Sequence, residues 1–206
     1  MDGKGHVYVL GRDWDDKRGI GKDGHGLVLI QYDRNLKRNW IRRYYDEKGG
    51  AACGNAMALD AAGAAVFGSV YITGTTYGIG QPFSQGLLQV REDGTLFGFT
   101  PFAGASRGDQ HGNSMTTDHR RMLHITGQGH FTDTENASPH LDSTEIVTTT
   151  YDLNGGLYRV HRYAGSDLLR SMGGRVVAVD EQDNILVAGQ TFDGKFNDIV
   201  LLKYPP

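Results

Sequence analysis

One short pattern recurs four times along this chain of 206 residues. In each copy an aspartate is followed by a polar turn and then by an apolar run that ends in glycine. The copies cover Asp2–Gly11, Asp60–Gly74, Asp118–Gly127 and Asp180–Gly189. Successive aspartates are 58, 58 and 62 residues apart. A unit that recurs at a nearly constant spacing predicts a repeat architecture, in which each copy is one supersecondary unit that packs on its neighbours.

Each complete copy contains four short apolar runs, named A to D in chain order. The second copy has them at Gly54–Asp60, Ser69–Gly74, Leu87–Arg91 and Leu96–Phe102, and the third at Gly112–Asp118, Met122–Gly127, Glu145–Tyr151 and Tyr158–Tyr163. The first copy has B to D at Val7–Gly11, Leu27–Tyr32 and Trp40–Tyr45, and the last has A to C at Gly174–Asp180, Ile185–Gly189 and Ile199–Tyr204. Short runs of this kind between Gly and Asp turn signals predict strands, and the chain lacks the spacing of an amphipathic helix. The fold class predicted is all-β, with sheets of three, four, four and three strands.

Four stretches carry a resemblance to a known repeat: Ala178–Asp180, Val70–Gly74, Asp198–Tyr204 and Tyr151–Gly155. They resemble the SBBP repeat, a bacterial-type β-propeller repeat whose pattern runs roughly A-V-D-x-x-G-N-V-Y-V-T-G and then D-x-x-V-x-K-Y-D-x-x-G. The resemblance covers nearly the whole chain and implies one β-propeller domain, or part of one, with about four blades. The blades implied are 2–50 (strands B to D), 51–104, 105–165 and 166–206 (strands A to C). The second copy departs from the pattern by a long A–B turn, and the third by a long B–C loop.

The D strands have two further marks. Aromatic residues five positions apart recur in them, as Trp40/Tyr45, Phe97/Phe102 and Tyr158/Tyr163. Pro101 lacks the N–H that a central strand donates, so the D strand of the second copy is predicted to lie at a sheet edge.

The first copy lacks strand A and the last lacks strand D, which leaves sheet edges with unpaired backbone groups. Three arrangements are compatible with this pattern. The chain is part of a longer propeller, or a partner or second copy completes the ring, or four blades close imperfectly alone.

The recurring aspartates, Asp2, Asp60, Asp118 and Asp180, favour a structural role over a catalytic one. A group found at the same place in every repeat performs a task that every repeat needs, here the acceptance of backbone N–H bonds in the A–B turn. The glycines that end the pattern, Gly11, Gly74, Gly127 and Gly189, are assigned to the same structural motif.

Two clusters are candidate metal sites. His111 and His130, with Asp109 and Asp133 nearby, offer nitrogen and oxygen ligands, although their spacing fits no known zinc motif. His119 is expected in a turn, and His124 on a half-exposed strand position, pointing away from its apolar neighbours. Oxygen ligands for calcium are offered by Asp13, Asp15 and Asp16, without the spacing of an EF-hand.

The chain presents no convergent catalytic set, so the function predicted is a non-catalytic interaction or scaffold module, with the character of an accessory subunit. It would bind protein partners, including other copies of itself, and need no cofactor. The long loops Arg12–Gly26, Thr75–Gly86 and Gln128–Thr144 carry candidate contact residues: Trp14, Tyr77, Phe83 and Phe131. The alternative is a propeller that binds a ligand or carbohydrate, or hydrolyses one, at its central channel or loop face.

Charge and hydropathy exclude other classes of function. The net charge is −3 and the pI about 6.2, which disfavours binding to nucleic acid. No apolar run is long enough for a transmembrane helix. Cys53 is the single cysteine, so no disulfide can form within the chain.

Overall fold

The computed structural model describes residues 2–14, 25–44, 51–59, 69–77, 84–102, 110–131, 143–165, 171–192 and 195–206. Within these ranges the chain forms fourteen β-strands and no helix, so the all-β prediction is confirmed. No helix among the described residues is long and apolar enough to cross a membrane. The chain divides into two compact units, Met1–Pro101 and Phe102–Pro206.

The strands form four sheets, whose members follow chain order. Sheet I contains β1 (Val7–Trp14), β2 (His25–Tyr32) and β3 (Arg38–Tyr44), and sheet II contains β4 (Ala51–Leu59), β5 (Ser69–Tyr77), β6 (Ser84–Arg91) and β7 (Leu96–Phe102). Sheet III contains β8 (Gln110–Thr117), β9 (Leu123–Phe131), β10 (Ser143–Tyr151) and β11 (Leu157–Tyr163), and sheet IV contains β12 (Ser171–Val179), β13 (Ile185–Phe192) and β14 (Asn197–Tyr204). The predicted strand numbers and their A-to-D order are therefore present. β7, with Pro101, lies at a sheet edge as expected.

Six turns share one backbone design, five of them between neighbouring strands and one directly before β1. The N–H of the first turn residue donates to the carbonyl four positions later, and the residue three positions later has a positive φ. This geometry is that of a type I turn followed by a left-handed residue, a common β-hairpin connection. The first residues are Asp2, Asp33, Arg91, Asp118, Asp152 and Asp180, and the left-handed residues are Gly5, Leu36, Gly94, Arg121, Gly155 and Asp183. The recurring aspartate is thus a feature of C–D turns as well as A–B turns.

The recurring glycine of strand B lies opposite a glycine of strand A in every sheet that has both strands. The pairs are Gly54 with Gly74, Gly112 with Gly127, and Gly174 with Gly189, and the strand register shifts directly after each pair. A Cβ atom on Gly127 would overlap the carbonyl oxygen of His111. Close approach of the two strands at this irregularity therefore requires glycine.

Each unit buries its core between two sheets. In the first unit, Tyr8, Leu27 and Leu29 of sheet I pack with Ile72 and Val90 of sheet II. The core of the second unit is formed by one residue of sheet III and four of sheet IV: Ile146, Met172, Val177, Ile185 and Val187.

The strand register corrects the predicted alignment of the first D strand. Trp40 lies opposite Gln31, and Arg159 lies opposite Thr150, so Trp40 corresponds to Arg159 and not to Tyr158. By the same register Tyr163 corresponds to Tyr44. The prediction used Tyr45, which lies outside the described residues, because two adjacent tyrosines make both alignments compatible with the sequence.

Candidate functional site

A buried chain of hydrogen bonds links the β8–β9 turn of sheet III to strand β10. Asp118 accepts the N–H of Met122 on Oδ1 at 2.7 Å, and its Oδ2 lies 3.2 Å from Nε2 of His124. The other ring nitrogen of His124, Nδ1, lies 3.0 Å from the hydroxyl of Thr150. The exposed fractions of Asp118, His124 and Thr150 are only 7%, 1% and 3%. The expectation of a half-exposed His124 was wrong, because both faces of β9 are covered at this point.

The protonation of His124 follows from its surroundings. Burial lowers the pKa of the imidazole, and the hydrogen bond to Asp118 opposes that effect only in part. A neutral imidazole has one donor and one acceptor, and a carboxylate can only accept. Nε2–H therefore donates to Asp118, and the Thr150 hydroxyl donates to Nδ1.

This hydroxyl, imidazole and carboxylate stand in the order of a serine-protease triad, but sheets I and IV favour a structural interpretation. In sheet I, at the equivalent positions, Gln31 donates to the Tyr8 hydroxyl at 2.8 Å, which donates to Asp2 Oδ2 at 3.1 Å. In sheet IV the position of His124 is taken by Leu186.

In sheet IV, Lys203 contacts the turn aspartate Asp180 directly, with Nζ 2.9 Å from Oδ2. The other oxygen of Asp180 accepts the N–H groups of Gln182 and Asn184 at 3.0 and 2.9 Å. In all three sheets the turn aspartate thus binds its own turn and also joins it to strand C.

Among the described residues, the one group of three possible metal ligands is Asp2, His6 and Glu92. His6 Nδ1 lies 2.8 Å from Asp2 Oδ2 and 3.6 Å from Glu92 Oε1. The ammonium of Lys4 lies 2.6 Å from Glu92 Oε2 and already supplies a positive charge there. Sequence reasoning missed this group because Glu92 belongs to sheet II and comes to sheet I only through the packing of the two sheets.

The second unit contains a cavity of about 370 Å³ between sheets III and IV. Its polar wall includes Arg120, His124, Thr150 and Arg159, and its apolar wall includes Met122 and Ile185. The volume is in the range typical of small-molecule sites. No sequence motif indicated this cavity, because its residues come from four strands, two turns and the chain segment after β14.

Sheet IV has one apolar face that is open to solvent. In one row across the sheet, Val176, Ala188 and Leu201 lie opposite one another, and in the next row Ile199 lies opposite Gln190. Val176, Ile199 and Leu201 are 55%, 83% and 77% exposed. This set, Val176, Ala188, Ile199 and Leu201, is called the open face below.

The predicted metal sites are only partly described. His111 lies in β8 opposite Gln128, and His130 lies in β9 with a side chain outside the described part; Asp109 and Asp133 lie outside it altogether. Asp13 forms an ion pair with Arg43, whereas Asp15 and Asp16 lie outside the described residues.

The predicted contact residues and one of the turn aspartates also lie partly or wholly outside the described part of the chain. The prediction that Trp14, Tyr77 and Phe131 lie in loops was wrong, because the B strands continue past their glycines and these residues end β1, β5 and β9; their side chains are outside the described part of the chain. Phe83 and Asp60 lie outside the described ranges as well.

Comparison with known proteins adds no assignment. The chain matches no protein-family model, and no curated protein matches it.

Proposed function

We propose that this protein is a non-catalytic interaction module of propeller-type repeats, and that its open face binds a second copy of the chain. The observation that carries the proposal is the exposure of Ile199 and Leu201, at 83% and 77%, on a regular sheet. Isolated apolar residues on a surface are ordinary, but a contiguous apolar sheet face is typical of a binding site.

The equivalent face of sheet III supports the proposal that another β-sheet binds to the open face. Strand register places Ile146 and Thr148 of β10 at the positions that Ile199 and Leu201 hold in β14. Both are 0% exposed, and Ile146 packs against sheet IV. A face of this repeat is therefore built to receive the next sheet of the same kind.

Sheet I supports the proposal that a second copy of the chain supplies the sheet that binds there. Val7, Val9 and Ile30 of sheet I correspond in register to Ile185, Val187 and Leu202, the residues of sheet IV that pack towards Ile146. Val9 is 44% exposed. One chain thus presents the open face of sheet IV and, on sheet I, a face of the kind that packs against it. Two copies can therefore associate head to tail through a heterologous interface.

Sedimentation velocity over a concentration series tests the proposal. The wild-type chain should associate as its concentration rises, and Leu201→Asp should remain monomeric, because a carboxylate in an apolar interface is costly to desolvate. Leu36→Asp, in an exposed turn of sheet I, is the matched control and should associate like the wild type.

Circular dichroism must show that both variants keep their strand content. A wild-type chain that stays monomeric at every concentration would overturn the proposal, and so would association of the Leu201→Asp variant with wild-type affinity.

A further inference from the structure

Three metal-ligating side chains meet between sheets I and II of the first unit. Asp2 and His6 belong to the turn before β1, and Glu92 belongs to the turn between β6 and β7. One ligand atom of each side chain lies within 4.8 Å of the other two. His6 Nδ1 is 2.8 Å from Asp2 Oδ2 and 3.6 Å from Glu92 Oε1. Around a zinc ion with ligand bonds of about 2.1 Å, tetrahedral geometry separates neighbouring ligand atoms by about 3.4 Å, so small shifts suffice to enclose an ion.

Both acidic residues are held in place by groups that a bound ion would not displace. Oδ1 of Asp2 accepts two backbone N–H groups of its own turn at 2.9 and 2.8 Å. The backbone carbonyl of Glu92 accepts the indole Nε1 of Trp40 at 3.0 Å and the amide of Gln31 at 3.1 Å. Outer hydrogen bonds of this kind orient the ligands of metal sites.

The other A–B turns show that the turn itself does not require a histidine. Met122 and Asn184 take the place of His6, each four residues after its turn aspartate. The amide of Asn184 donates to both oxygens of that aspartate at 3.0 and 2.9 Å, so a side chain here can simply support the turn. The first copy differs because Glu92 brings a second carboxylate beside the imidazole.

The charge at this place suits a cation. Asp2 and Glu92 carry two negative charges, and the ammonium of Lys4 compensates one of them at 2.6 Å from Glu92 Oε2. The other oxygen of Glu92, Oε1, lies beyond hydrogen-bond distance from His6 Nδ1. The Lys4 side chain is 67% exposed, so its ammonium can return to water at little cost.

We propose that Asp2, His6 and Glu92 bind a zinc ion, with His6 Nδ1 and one oxygen of each carboxylate as ligands. Zinc accepts nitrogen and oxygen ligands together, whereas calcium and magnesium prefer oxygen alone. His6 binds the ion as its Nε2–H tautomer, which leaves Nδ1 without a hydrogen. Because the ligands come from both sheets, the ion links sheet I to sheet II, and Lys4 competes with it for Glu92.

Isothermal titration calorimetry of the full chain with zinc chloride and with magnesium chloride tests this inference. Zinc should bind at least about tenfold more tightly than magnesium, because imidazole is a poor ligand for magnesium. Zinc should also raise the melting temperature, since the site exists only in the folded chain. Equal binding of the two ions, or a melting temperature that zinc leaves unchanged, would overturn the proposal.

Variants of the ligands locate the ion. His6→Gln and Glu92→Gln should each weaken zinc binding at least about tenfold. His119→Gln is the matched control. His119 Nδ1 lies 2.8 Å from Asp183 Oδ1, as in the His6–Asp2 pair, but the next group there is a guanidinium and not a second carboxylate. This variant should keep the zinc affinity of the wild type.

A fourth variant separates a metal site from a cluster of ion pairs. Lys4→Gln removes the competing ammonium and should tighten zinc binding about twofold to fivefold at low ionic strength. Unchanged or weaker zinc binding in this variant would contradict the proposal, and it decides the question even where a ligand variant fails to fold. Wild-type zinc affinity in His6→Gln and Glu92→Gln variants that keep their strand content by circular dichroism would refute the assignment.

Discussion

The imidazole Nε2 of His124 lies 3.2 Å from a carboxylate oxygen of Asp118, and neither side chain is more than 1% exposed. Such a pair is stable in a protein interior because each polar atom has a partner of the right kind. One carboxylate oxygen of Asp118 accepts a backbone N–H of the turn and the other accepts the imidazole Nε2–H, while the hydroxyl of Thr150 donates to the second ring nitrogen. The pair thus joins turn, strand B and strand C of sheet III.

The first prediction concerns pH. Burial holds the pKa of His124 below its ordinary value of 6.5. As the pH falls below 6.5, the unfolded chain therefore binds more protons than the folded chain, so the unfolding free energy of the protein decreases as the pH is lowered. The stabilisation is present above that pH and is lost as the pH falls through the folded pKa. Urea unfolding between about pH 7.5 and pH 5.5 should show this slope, and His124→Gln should reduce it.

Other groups near His124 define the controls. Burial also lowers the pKa of His161, so His161→Gln should reduce the slope too, and Arg120 and Asp183 act on His124 through their charges. An unchanged slope in His124→Gln would contradict the prediction.

A second prediction compares two of the turn aspartates. Asp118→Ala removes the acceptor of a buried imidazole and of a backbone N–H, so it should lower the unfolding free energy by about 3 kcal/mol. Asp180→Ala removes a carboxylate that is more exposed, and its partner Lys203 returns to water, so the loss should be clearly smaller. Denaturant midpoints of the two variants measure the difference, and equal losses would count against burial as its cause.

The number and order of the strands were predictable because their turn signals are local, but the limits of the B strands were not, since β1, β5, β9 and β13 each run past the glycine that was predicted to end them. Aspartate and glycine turn signals bound each apolar run, and the same turn design recurs from sheet to sheet. The D-strand register of the first copy was not fixed in this way, since Tyr44 and Tyr45 are adjacent and only the pairing of Gln31 with Trp40 decides between them.

The candidate sites were not predictable, because they depend on how two sheets pack. Glu92 and Pro206 reach their places from the neighbouring sheet, and no local pattern connects either residue with the turn that it faces. His124 shows the same limit. Alternation along β9 gives the direction of its side chain correctly, but the covering of that side by other residues is a property of the packed unit.

A third prediction concerns the left-handed turn residue Leu36, which has a φ of 60° and is 69% exposed. The left-handed conformation costs free energy for an L-residue with a Cβ atom and not for glycine, although glycine loses more backbone entropy on folding. Leu36→Gly should therefore raise the unfolding free energy by about 0.5–1 kcal/mol. Leu36→Ala keeps the Cβ and is the control; thermal melts in which alanine stabilises as much as glycine would refute the argument.

A fourth prediction uses two glycines from the same position of the repeat. Gly127 pairs with Gly112 of the adjacent strand, and a Cβ there would overlap the backbone of His111. Gly11 lies in β1, at the edge of sheet I, and a Cβ there would have no atom within 4 Å. Gly127→Ala should lower the unfolding free energy by about 3 kcal/mol, because backbone atoms must move, whereas Gly11→Ala should be close to neutral.

The pair separates two reasons for the recurrence of this glycine. If close contact with strand A is the reason, only the sheet that has a strand A beside the glycine is damaged by alanine. If strand B itself requires glycine, for example through its local conformation, both variants should lose stability to the same extent. Urea denaturation of the two variants decides between these explanations, and a large loss in Gly11→Ala would exclude the first.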